Sequence, residues 1–185
     1  MSNQNTVEKT IVEEFEIRAT DSTLLKGELL GNPADSRAII ILVHGIGEHY
    51  KRYNYVADML INQGFYVVRF DQRGHGLSEG KRGHTPSAKQ LMEDISTVIL
   101  LARQKNSTLP IFLYGHSLGA LEVLYYCLTE KPELKGVIAT SPPLDLSTTP
   151  ESKKKLAKFL NPILPGLVMP SGLDTKALSR DTKVV

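Results

Sequence analysis

The sequence has one cysteine, Cys127, so no internal disulfide can form. The thiol falls in the apolar stretch Leu124-Tyr125-Tyr126-Cys127-Leu128, which reads as helix core, with nothing electropositive beside it, and a buried, inert sulfhydryl is expected. Neither sign of charge is in excess. The 22 Lys and Arg against 20 Asp and Glu leave a formal +2, too even a balance to attract a polyanion, so nucleic acid is not an expected partner. Long apolar runs are also missing. The longest, Phe159 to Met169, is broken by Pro162 and Pro165 and is far shorter than the roughly 20 residues that span a bilayer, so no transmembrane helix is expected. Met1 to Thr10 are polar and lack the apolar run of a secretory signal, which makes cytoplasmic residence the expectation.

What the sequence does have is enough apolar material for one core: 41% of its 185 residues are hydrophobic. Residues Glu14 to Gly31 alternate apolar and polar around Asp21-Ser22, the pattern of a half-buried antiparallel hairpin. Ala38 to Val43 (AIIILV) is a continuous apolar run, as suits a strand covered on both faces. Tyr53 to Gln63 places Val56, Met59 and Leu60 at helical spacing, and Gly64 ends that helix. The strand–helix unit then repeats, with strands at Phe65–Phe70, Ile111–Tyr114 and Val137–Thr140 and helices at Ser87–Lys105 and Ser117–Glu130. Strands alternating with helices predict right-handed crossovers and a doubly wound, mostly parallel α/β sheet that begins with an antiparallel hairpin.

Composition changes from Ser141 onward, and the chain is divided into a core (1–143) and a tail (144–185). The tail is rich in proline and carries the basic run Lys153-Lys154-Lys155 and Lys158. Leu156, Phe159, Leu160, Ile163 and Leu164 would form one apolar helix face. The lysines read either as an ordinary solvated face or as a surface drawn to anionic membrane lipid, giving peripheral membrane contact.

Three stretches carry chemistry. Gly115-His116-Ser117-Leu118-Gly119 lies between a strand and a helix, where a sharp turn would raise the Ser117 hydroxyl above the carboxyl edge of the sheet and the two glycines would let strand and helix approach. The helix that follows adds amide donors and a dipole suited to developing negative charge. His44-Gly45-Ile46-Gly47-Glu48-His49 follows the AIIILV strand. Acyl transfer needs two backbone amides aimed at one oxyanion, one after the nucleophile and one from this earlier loop, which nominates Leu118 and Ile46. His44 and His49 do not form HExxH, so no zinc site is expected. Asp71 to Gly80 contains a GxG, but its glycines run GxGxxxG and no helix begins directly after them, so no dinucleotide cofactor is expected and the stretch reads as a structural loop near the site mouth.

HGIGEHYKRY, FDQRGHGLSEGKRGH and YGHSLGA, in this order, together with SPPLDL, LNPILP and LSRD in the tail, resemble the monoacylglycerol lipase and lysophospholipase group of serine hydrolases. The resemblance runs from about Phe15 to Val185. It implies an eight-stranded α/β-hydrolase fold with a helical lid after the sixth strand, so that 144–185 would be the start of the lid. It also implies an acyl-enzyme on Ser117, the Ile46 and Leu118 amides as oxyanion donors, and monoacylglycerols, lysophospholipids or other small acyl esters as substrates. No cofactor is implied.

A serine hydroxyl needs an imidazole in reach and an acid to orient it, in the order Ser, acid, His for this fold. All five histidines (His44, His49, His75, His84, His116) precede Ser117. The triad acid and base are therefore not expected among these residues. Asp145, Asp174 and Asp181 read as surface or capping aspartates, and His116 would point away from its neighbour. The last strands of the fold are absent too, so the sequence is expected to end early, to be nearly inactive alone, and to leave Val137–Thr140 as an uncovered apolar edge. A non-catalytic remnant that binds lipid or a partner is the alternative, as is a peptidase or carbon–carbon hydrolase on the same scaffold.

Overall fold

The structure, a computed structural model, describes residues 11–144. The lid expected over 144–185, its lysine and apolar faces, its membrane contact, and Asp145, Asp174 and Asp181 lie, apart from Leu144, outside the described residues.

Strands β1 (Val12–Arg18) and β2 (Leu24–Leu30) form the expected antiparallel hairpin, with Phe15 opposite Gly27. Gly27 has to be glycine. A Cβ there would stand 2.2 Å from the Arg69 carbonyl oxygen and 2.6 Å from the Phe15 ring. Through Gly27 to Leu30 the hairpin joins β4 (Phe65–Phe70), again antiparallel. The rest of the sheet is parallel: β3 (Ala38–Val43) lies between β4 and β5 (Ile111–His116), and β6 (Gly136–Thr140) flanks β5. The strand order is β1-β2-β4-β3-β5-β6.

The sequence of β3 needs no polar position because both of its faces are covered. Side chains alternate sides along a strand. Ile39, Ile41 and Val43 join one apolar cluster with Ile95, Val98 and Ala102 of helix α2 (Ala88–Lys105) and Val123 and Tyr126 of helix α3 (Leu118–Glu130), while Ile40 and Leu42 join a second with Tyr53 and Ala57. Each isoleucine so buried contributes about 1.5–3 kcal/mol. Ser87 caps α2, its Oγ accepting from the Gln90 amide at 3.2 Å.

Helix α1 (Asn54–Asn62) follows a 3-10 turn at Tyr50–Tyr53, and Gly64 after it takes φ +75°. Its inner face differs from the expected one. Met59 is 49% exposed, and Ala57 at 0% is the contact residue, with Val56 and Leu60 beside it. At about 100° per residue, position 59 stands about 200° from 57, on the far side of the helix. Strand β5 also runs two residues beyond its expected end, because Gly115 pairs with Val43 and His116 with Thr140. Cys127 is half-buried rather than buried, and burial pushes its thiol up.

Candidate active site

In an open parallel sheet the strand order reverses where one strand has its successors on opposite sides, and ligands gather at the carboxyl ends there. Here that strand is β3, between β4 and β5. The loop leaving β3 is His44 to His49, and the turn leaving β5 is Ser117.

Ser117 adopts φ 52°, ψ −118° between β5 and α3. A non-glycine residue there carries a strain of about 1–3 kcal/mol that the surroundings must impose. They impose it by crowding and by hydrogen bonds. The Ser117 amide donates to the Thr140 carbonyl at 2.9 Å, and its own carbonyl accepts from Ala120 and Leu121 at 3.0 and 3.2 Å. A Cβ on Gly115 would stand 2.3 Å from the Gly119 carbonyl oxygen. One on Gly119 would stand 2.2 Å from the Val43 carbonyl oxygen and 2.6 Å from that of His44. Ser117 is half-buried, and among the described residues its side chain makes no capping hydrogen bond.

The loop after β3 lies against the same serine: a Cβ on Gly45 would be 3.2 Å from the Cβ of Ser117. Glu48 fastens this loop. Its Oε2 accepts from the Gly45 amide at 2.9 Å and from the Tyr53 hydroxyl at 2.7 Å, and its Oε1 meets Arg52 Nε at 3.0 Å. Burial works against ionisation of Glu48. The Tyr53 and Gly45 hydrogen bonds, with Arg52 and His116, outweigh it and hold the carboxyl below its ordinary value. For Tyr53, burial and then Glu48 push the phenol up. Behind the loop, the His44 imidazole is 1% exposed and carries its proton on Nδ1, which donates to the Gly45 carbonyl at 2.7 Å, because Nε2 accepts from the Gln72 amide at 3.0 Å. Burial lowers its pKa, with His75 adding to the effect.

The chain belongs to the serine aminopeptidase S33 family. Residues 34–185 match that family's profile. The chain is 34% identical over 152 residues to the monoacylglycerol lipase of Mycolicibacterium smegmatis, covering 82% of this chain and 54% of that protein. It is 33% identical to the phospholipase YtpA of Bacillus subtilis, over 80% and 57% of the two chains. Among solved structures, the monoacylglycerol lipase of Paleococcus ferrophilus superposes with a TM-score of 0.74 at 37% identity, over 95% of this chain and 60% of that one. A soluble variant of the Saccharomyces cerevisiae monoglyceride lipase gives 0.79 at 25% identity, over 99% and 63%. The S33 chain thus has the α/β-hydrolase fold and spans about half the length of the monoacylglycerol lipases it matches.

The structure brings Ser117 and the Gly45–Ile46 turn together at one sheet edge, with Leu118 as the first residue of α3, where an amide has no acceptor within its own helix. It brings no histidine to Ser117. The His116 ring turns to the Thr140 hydroxyl at 3.0 Å and edges onto Tyr53, and His75 edges onto His44. His44 is occupied on both nitrogens.

The first part of the Asp71–Gly80 loop, Asp71 to Gly74, is buried, while Gly76, Leu77, Glu79 and Gly80 are exposed. Asp71 accepts from the Tyr50 and Leu77 amides at 2.8 and 2.7 Å, and Arg73 grips Asp94 at 2.6 and 2.7 Å and Asp21 at 2.7 Å. Gly76, at φ +45°, has Asp71 Oδ2 where a Cβ would go, at 1.9 Å, so this glycine serves a carboxylate clamp.

Glu48, Tyr53, Gln72 and Glu122 take roles here that no motif in the sequence marks. The signal for Glu122 was present, a lone acid in the apolar helix run LGALEVLYY.

Proposed function

We propose that the protein is an ester hydrolase for monoacylglycerols, lysophospholipids or similar small acyl esters, with Ser117 as its nucleophile. The observation that carries this reading is the φ 52°, ψ −118° conformation of Ser117 at the β5–α3 junction, facing the Gly45–Ile46 turn. In the reaction, Ser117 Oγ bonds to the acyl carbon and its proton passes to a general base. The carbonyl oxygen becomes an anion held by the Ile46 and Leu118 amides, and collapse expels the alcohol and leaves an acyl-enzyme. Water then releases the acid by the same path. The relatives named monoacylglycerol lipase and phospholipase support lipid esters as the substrate class.

None of the five histidines is hydrogen-bonded to Ser117, so the base lies elsewhere and these 185 residues alone turn over poorly. Losing the base of such a system costs on the order of a millionfold in turnover. The test is an extended chain carrying the sequence that follows the equivalent point in the M. smegmatis relative. Hydrolysis of a monoacylglycerol or p-nitrophenyl ester is expected there and is lost in Ser117→Ala. Hydrolysis that survives that substitution removes Ser117 from its role.

A further inference from the structure

A buried polar chain lies behind the Gly45–Ile46 turn, and the proposed acyl transfer makes no direct use of it. Gln72, 4% exposed, holds His44 twice: its backbone amide donates to His44 Nε2 at 3.0 Å, and its side-chain Nε2 donates to the His44 carbonyl at 2.6 Å. That carbonyl belongs to the residue just before the turn. Facing the Gln72 side chain from α3 is Glu122, 5% exposed, five residues after Ser117. Among the described residues, neither of its carboxyl oxygens has a hydrogen-bond partner.

A carboxylate in such a place would have lost its water for no more than the approach of one neutral amide, that of Gln72, a cost that a protein avoids by keeping the group protonated. Burial, with the Asp94 carboxylate on α2 adding to it and the Gln72 amide pulling the other way, pushes the Glu122 carboxyl up to about 8. Asp94 is itself matched by Arg73. Glutamate is therefore present as a neutral, polar filler against Gln72. Once ionised, it would draw toward itself the Gln72 NH2, whose other hydrogen bonds the His44 carbonyl.

We infer that Glu122 is a positioning residue: uncharged, it leaves Gln72 clamped on His44 and the Gly45–Ile46 turn set against Ser117, and a charge on it loosens that turn. The catalytic consequence rests on the oxyanion role proposed for Ile46. The structural link from Glu122 to the turn does not.

Carbon-13 NMR of the 185-residue chain between pH 4 and 10 tests the link without catalysis. The Glu122 side-chain carboxyl is expected to titrate far above the ordinary glutamate range, and the carbonyl signals of His44 and Gly45 to move with the same midpoint. In Glu122→Gln that step disappears from both loop signals. In Gln72→Leu, Glu122 still titrates high but His44 and Gly45 no longer follow it. A Glu122 carboxyl that titrates near pH 4.5 in the unmutated chain overturns the inference, and this reading needs no variant to fold. So do loop signals that ignore Glu122, or that keep following it without Gln72. Ser117→Ala leaves every one of these signals titrating as before, so failure here and failure of the Ser117 hydrolase reading are separate results.

Discussion

Gly119 presses its α-carbon against the end of β3, where a Cβ would lie 2.2 Å from the Val43 carbonyl oxygen. Neither partner can yield, since one is a helix backbone and the other a central strand. Gly119→Ala is expected to cost about 3 kcal/mol or more by overpacking. Gly47→Ala offers the contrast: φ is +70° but none of the described residues lies within 4 Å of the added methyl, so only the left-handed conformation is penalised, at about 1–2 kcal/mol. Urea midpoints of the two variants should differ in that order, and equal midpoints would mean that the helix is not seated as described.

Ser117 holds a backbone conformation that glycine tolerates and alanine does not. Ser117→Gly should therefore be more stable than Ser117→Ala by about 1 kcal/mol, after the extra chain entropy of glycine is subtracted. Thermal unfolding of the pair decides this. An alanine variant as stable as the glycine one would show a relaxed elbow.

Arg73 is the central cation of an interior pair, gripping Asp94 from the Asp71–Gly80 loop and reaching Asp21 in the hairpin turn. Removing it in Arg73→Met strands Asp94 without a counter-charge and should cost about 3–5 kcal/mol. The double variant Arg73→Met, Asp94→Leu should recover most of that loss. A double-mutant cycle in urea that shows no coupling would leave the pair without energetic weight.

Glu122 makes stability depend on pH in an unusual direction. Its folded pKa of about 8 lies above the ordinary 4.5, so the folded state holds the extra proton. The neutral form's full stability is present below pH 4.5, falls as pH rises toward 8, and is not reduced further above it. The total is of the order of a few kcal/mol. Glu122→Gln should match the parent in acid and exceed it increasingly between pH 5 and 8, in melting temperature recorded pH by pH. A constant gap would assign the difference to packing.

Glu48 accepts both the Gly45 amide and the Tyr53 hydroxyl. Glu48→Ala leaves two donors unpaired and should cost about 1–3 kcal/mol. In an extended, active chain it should also slow ester hydrolysis, because the Gly45–Ile46 turn loses its tether. A variant with full rate and reduced stability would separate the tether from catalysis.

Much of this protein was settled by local chemistry alone. The alternation around Asp21-Ser22, the unbroken run Ala38–Val43 and the strand–helix repeats dictate a hairpin feeding a doubly wound sheet, because periodicity decides which faces can be buried. The glycines around Ser117 mark a close crossing for the same local reason, since only a residue without a Cβ permits it. What periodicity could not decide was which partner occupies each face. Ala57 rather than Met59 meets the core because Tyr53 and the sheet fix the rotation of α1. The partners of Glu48, the pairing of Gln72 with His44, and the burial of Glu122 facing Gln72 required the ends of β3 and β4 and the face of α3 to converge, since long-range burial decides whether a polar side chain is a solvated ornament or an interior clamp.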